Sequence, residues 1–142
     1  MYSKILVPTD GSSEAEQAVD YALDLAERYD AEVHVVYVVD DSVTPEKELM
    51  DSIRGEFRRR GEEATERILE KARLKNLETV REIAEGVPSE QIVDYIDENS
   101  IDLTVMSTHG RTGLKRVLMG STTERVLRES SSPVMTIGPG KE

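Results

Sequence analysis

The residues with chemical potential cluster in Ser107-Thr108-His109-Gly110-Arg111-Thr112-Gly113, followed shortly by Gly120-Ser121-Thr122-Thr123-Glu124. Gly110 and Gly113 let the backbone turn sharply and approach a ligand closely, and Gly120-Ser121 opens a segment of helical character. The first amide N–H groups of a helix lack intrahelical acceptors and its dipole favours anions there, so the arrangement suits a phosphate. Arg111, Lys115 and Arg116 add positive charge beside it in a chain of formal net charge −11. Each part also has a purely structural explanation. Ser121 with Glu124 reads as a capping box, the three cations as a solvated face, and Thr9-Asp10-Gly11 as a turn.

These residues need a scaffold, and the hydrophobic pattern supplies one. Short apolar runs alternate with stretches of helical spacing, which predicts an open five-stranded parallel sheet with crossover helices, its central strand covered on both faces. The strands are Ile5–Val7, Val33–Val39, Thr79–Ala84, Ile101–Ser107 and Val134–Ile137. Ser13 and Glu16 form a capping box for the first helix, whose buried stripe is Ala15, Ala18, Val19, Ala22, Leu23 and Ala26. A long charged helix runs from about Pro45 to Lys75, with Phe57 in its apolar stripe and a candidate break near Gly61. Pro88 starts a third helix carrying Ile92, Val93 and Ile96 inward, and Thr122 to Ser130 forms the fourth. No linker or repeat divides residues 1–142, so the pattern predicts one domain. In such a sheet ligands sit outside the carboxyl ends of the strands, where the winding reverses, which directs attention to Thr9-Asp10 and to Ser107 onward.

Several function classes drop out. The chain contains no cysteine, which excludes disulfides and thiolate zinc sites, and its acidity opposes binding to nucleic acid or anionic membrane. No signal peptide or membrane-spanning run is evident, so a cytoplasmic location is expected. Neither Gly-x4-Gly-Lys-Ser/Thr nor Gly-x-Gly-x-x-Gly occurs. His34 reads as a satisfied core histidine, and His109 has no spaced metal partner. A triad of Ser107, His109 and Asp10 lacks the Gly-x-Ser-x-Gly elbow that would frame its serine. Neither a catalytic set nor a protein-built metal site is expected.

The spacing Ser107-x2-Gly110-x9-Gly120-Ser121 resembles the Gly-x2-Gly-x9-Gly-Ser/Thr motif of the universal stress protein family, of the UspA-like, ATP-binding type. Pro8-Thr9-Asp10-Gly11-Ser12, Val38-Val39-Asp40, Gly86-Val87-Pro88 and Pro133-Val134 resemble further landmarks of that family, in the same order. The resemblance implies an open, doubly wound, Rossmann-like five-stranded parallel sheet of order 3-2-1-4-5 with helices on both faces, a homodimer through the last strand, Val134, Met135, Thr136 and Ile137, and ATP as cofactor, with Mg²⁺ or Mn²⁺ as candidate companions. Carried over by position, it places Pro8, Thr9, Asp10 and Val38 at the adenine and ribose, with Met106 and Ser107 opposite. Gly110, Gly120, Ser121, Thr122 and Thr123 would hold ribose and phosphates, with Arg111 beside them. Ser107 departs from the motif's first glycine; its hydroxyl can donate a hydrogen bond.

The leading expectation is therefore an adenine-nucleotide-binding stress-response or signalling protein, a homodimeric sensor or regulator rather than a dedicated catalyst. The alternatives are a dimerising interaction module that binds no nucleotide and a weak ATPase or adenylyl-transferring enzyme.

Overall fold

The computed structural model describes residues 1–40, 47–109 and 119–138. Strands β1 (Lys4–Thr9), β2 (Glu32–Asp40), β3 (Thr79–Gly86), β4 (Leu103–Ser107) and β5 (Val134–Ile137) form one sheet in the order β3-β2-β1-β4-β5. Every recorded pairing is parallel. Helices α1 (Ser13–Tyr29), α2 (Lys47–Leu74), α3 (Pro88–Glu98) and α4 (Ser121–Glu129) are the crossovers. From β1 the chain winds outward through β2 to β3, then returns to place β4 on β1's other side. The winding thus reverses between β1 and β4, where the expected ligand residues sit.

The sheet is covered on both faces because alternate residues of its central strands are apolar on both. Ile5, Val7, Val33, Val35, Leu103 and Val105 pack with Val19 and Leu23 of α1 and Ile68 and Ala72 of α2. On the opposite face Leu6, Val36 and Met106 pack with Ile92, Tyr95 and Ile96 of α3 and Val126 of α4. Full burial of each such aliphatic side chain contributes about 1.5–3 kcal/mol. Exposed ion pairs line the α1–α2 seam, Arg67–Glu16 at 2.9 Å and Lys75–Glu27 at 2.8 Å, and add little by comparison.

Three local expectations change. The N-cap of α1 is Ser12, whose Oγ accepts from the Ala15 N–H at 3.1 Å, so a single side-chain cap one residue earlier replaces the Ser13–Glu16 capping box. Strand β4 begins at Leu103, because the Ile101 N–H is committed to the Ile96 carbonyl at 3.1 Å in the turn that ends α3. Helix α2 runs unbroken through Gly61 for 28 residues.

Candidate functional site

The loop after β1 is built by its own side chains. The Gly11 N–H donates to Thr9 Oγ1 at 3.0 Å, the Ser12 N–H donates to Asp10 Oδ1 at 2.9 Å, and Ser12 then caps α1. Gly11 takes φ +82°, a conformation that disfavours a side chain. Asp10 is therefore an acceptor that shapes the turn, whatever else it meets.

Opposite, the end of β4 is fastened to the start of α4. The Gly120 N–H donates to the Thr108 carbonyl at 2.7 Å, and Thr123 Oγ1 donates to the Ser107 carbonyl at 2.8 Å. Ser107 Oγ donates to the His109 carbonyl at 2.6 Å, so the hydroxyl that replaces a motif glycine stabilises its own loop. That bond also separates Ser107 from the imagined triad, since its hydroxyl is given to a backbone carbonyl and not to an imidazole. Arg125 joins the starts of α4 and α3 by reaching Ser89 Oγ at 3.3 Å and Glu90 at 3.4 Å.

The N-cap of α4 is Gly120, at φ −61° and ψ 148°, with no side-chain capping bond. This replaces the expected Ser121–Glu124 capping box. The helix geometry leaves the N–H groups of Ser121, Thr122 and Thr123 without intrahelical acceptors, in the orientation that favours an anion.

Between these turns lies a cleft of about 380 Å³. Pro8, Thr9, Asp10, Val38, Met106, Ser107, Gly120, Ser121, Thr122 and Thr123 all line it, so the structure brings together every described member of the expected set. Gly110 and Arg111 lie outside the described residues. The sequence reading does not assign Ala15, Val36, Tyr37, Val39, Asp40, Phe57, Pro88 or Ile92 to the site, yet they share its wall. Phe57 carries a signal in hindsight: it is the chain's single phenylalanine, on the apolar stripe of a helix otherwise crowded with charge.

The wall differs across the sheet. On the β4 side of β1 Ser107 and residues 120–123 are polar, whereas on the β2 side Tyr37, Val39 and Phe57 are apolar and aromatic, with Asp40 at the strand's end. Among the described lining residues the charged side chains are two carboxylates, Asp10 and Asp40. No group of three or more His, Cys, Asp or Glu suited to a metal occurs among the described residues. A Mg²⁺ or Mn²⁺ ion there would depend on phosphate oxygens, with the cleft's two carboxylates as the protein donors of suitable chemistry. His34 lies buried in β2, and its ring nitrogens meet Glu32 and Tyr95.

Among the described residues no helix is long and apolar enough to cross a membrane. The model of the universal stress protein family matches residues 1–138. Universal stress protein MJ0531 of Methanocaldococcus jannaschii is 36% identical over 145 residues, covering all of this chain and 85% of that protein. The solved structure of MJ0577, from the same organism, matches with a TM-score of 0.89 at 29% identity, covering 100% of this chain and 99% of that one. Two more distant structures share the fold. One is a universal stress protein in complex with cAMP, with a TM-score of 0.77 at 22% identity, covering 98% of this chain and 99% of that one. The other is an Arabidopsis thaliana family member with AMP bound, with a TM-score of 0.71 at 18% identity, covering 95% of this chain and 90% of that one. On the full-length family match and this shared topology, the chain belongs to the universal stress protein family.

Proposed function

We propose that this chain binds an adenine nucleotide, ATP foremost, in the cleft over the β1–β4 switch point, and acts as a cytoplasmic homodimeric sensor or regulator rather than a dedicated catalyst. One observation carries the reading: residues from β1, β2, β4 and α4 converge on a single cleft whose polar end is a helix N-terminus without a side-chain cap. Such a terminus offers backbone N–H groups to phosphate, with no side-chain bond of its own N-cap to displace. Proteins of this fold have been solved with cAMP and with AMP, which agrees with the ligand class. The regulatory reading is favoured because Ser107, the serine nearest the phosphate end of β4, commits its proton to the His109 carbonyl.

Isothermal titration calorimetry with ATP and AMP, each with and without Mg²⁺, tests the proposal. Saturable binding in the micromolar range supports it. No heat at millimolar ligand from a folded protein sinks it. A second reading, an interaction module without nucleotide, is favoured by Ser107, whose Cβ and hydroxyl stand where the resembled motif has glycine. A Ser107→Gly protein that binds ATP where the parent does not favours that second reading.

A further inference from the structure

We propose that Phe57, packed with Tyr37, whose ring is seated on Gly61, is the residue that selects a purine base in this cleft. The inference rests on the reading that the cleft takes a nucleotide, and it names which end takes the base.

A nucleotide has a flat, weakly polar base at one end and phosphate at the other, and the cleft has the same polarity. Its phosphate-compatible end is the start of α4. On the β2 side, Phe57 of α2 is partly buried and packs on a small cluster of Tyr37, Val39 and Ala64, separate from the two main cores. Phe57, Tyr37 and Val39 all line the cleft. The Arg60 guanidinium lies 5.6 Å from the Phe57 ring centroid, a cation–π contact that restrains the ring from its own helix.

Gly61 explains how this wall is made. A glycine inside a helix costs about 1 kcal/mol relative to alanine, so a glycine in the middle of α2 needs a reason. A Cβ at residue 61 would stand 2.6 Å from Tyr37 Cδ1 and 3.0 Å from its Cγ, inside van der Waals contact. The missing side chain therefore lets the Tyr37 ring lie against the helix backbone, 4% exposed, instead of filling the cleft beside Phe57. Gly55, on the same helix, supplies the contrast: a Cβ there would meet nothing within 4 Å.

The experiment compares Phe57→Ala, Phe57→Leu, Gly61→Ala and Gly55→Ala with the parent, measuring Kd for AMP and CMP by calorimetry and folding by thermal denaturation. Base–aromatic stacking predicts that Phe57→Ala and Phe57→Leu weaken AMP about tenfold, with a smaller loss for CMP, whose base has less area to stack. Gly61→Ala should weaken AMP by a similar factor, because the displaced tyrosine ring intrudes. Gly55→Ala should bind as the parent does. Should Phe57→Ala fail to fold, Phe57→Leu keeps the apolar packing and decides the matter. AMP affinity within twofold of the parent in folded Phe57 variants overturns the proposal, as does an equal loss for AMP and CMP. A parent that binds neither nucleotide fails at the earlier step, the nucleotide reading itself.

Discussion

The Tyr95 hydroxyl lies 2.6 Å from His34 Nδ1, and Nε2 of the same imidazole lies 2.6 Å from Glu32 Oε1. A carboxylate can only accept, so in the neutral imidazole Nε2 carries the proton and Nδ1 accepts from the tyrosine O–H; the tautomer is assigned by this network. The chain of bonds ties α3 to β2 through a buried polar pair, on the face of the sheet where Ile92 of α3 lines the cleft.

Tyr95→Phe should therefore leave His34 Nδ1 buried without its donor and cost about 1–3 kcal/mol in urea unfolding at pH 7. A second readout is alkaline. Burial above all, and then the carboxylates of Glu82 and Glu32, push the Tyr95 hydroxyl up to about 12 from an ordinary 10.0. A group whose folded pKa is raised contributes stability below its unfolded pKa and loses it as pH climbs to the folded value. Stability should thus fall between about pH 10 and pH 12, and fall less steeply in Tyr95→Phe. Equal slopes for the two proteins would show that Tyr95 ionises as freely folded as unfolded.

Most of the architecture is legible in the sequence, because hydrophobic period responds to the large terms. Val33–Val39 reads as a central strand since both its faces must be covered, and the structure buries most of it between α2 on one side and α3 on the other. His34 reads as a satisfied core histidine, and it is one. What is not legible is decided by single hydrogen bonds or by distant packing. Ser12 and Ser13 are chemically equal candidates for a cap, and only the turn made by Asp10 Oδ1 selects Ser12. Gly61 suggests a break in α2, but the reason for that glycine is Tyr37, a residue 24 positions earlier on another element. Phe57 reads as core stripe for the same reason: period locates a face, not the cleft into which part of that face opens.

The position of the cap yields a direct test. Ser12→Ala removes the acceptor for the Ala15 N–H and should destabilise the protein by about 1 kcal/mol, whereas Ser13→Ala, at the first helical position, should change the urea midpoint little. Equal effects at the two sites would contradict the assignment of Ser12 as the cap.

Gly120→Val tests the phosphate end. At φ −61° and ψ 148° a valine fits the backbone, and the residue's N–H to Thr108 is retained, so far-ultraviolet circular dichroism should match the parent. A branched side chain at a lining residue beside the first amides of α4 should nonetheless obstruct phosphate and lower ATP affinity at least tenfold. Unchanged affinity would put the phosphates elsewhere. Thr123→Val offers the complementary outcome, losing about 1 kcal/mol of stability with its bond to the Ser107 carbonyl.

The proposed homodimer leaves one edge to examine, and the hydrogen bonds of β5 say which of its residues can take part. Thr104 donates its N–H to the Pro133 carbonyl and Thr108 donates to the Ile137 carbonyl, both at 3.0 Å. In a strand the N–H and C=O of one residue point to the same side, and successive residues alternate. Residues 133, 135 and 137 therefore turn their backbone groups toward β4, and Val134 and Thr136 turn theirs toward the outer edge of the sheet, where no described strand pairs with β5. An edge with outward donors and acceptors and an exposed Met135 is suited to antiparallel pairing with the same strand of a second copy. Thr136→Pro removes one outward donor and none that β4 uses, so it should give a folded monomer. Met135→Pro strikes the ladder to β4 and should lower thermal stability whatever the assembly state. Light scattering on the parent and on Thr136→Pro reads the mass, and a Thr136→Pro protein that stays dimeric at micromolar concentration would move the interface off this edge.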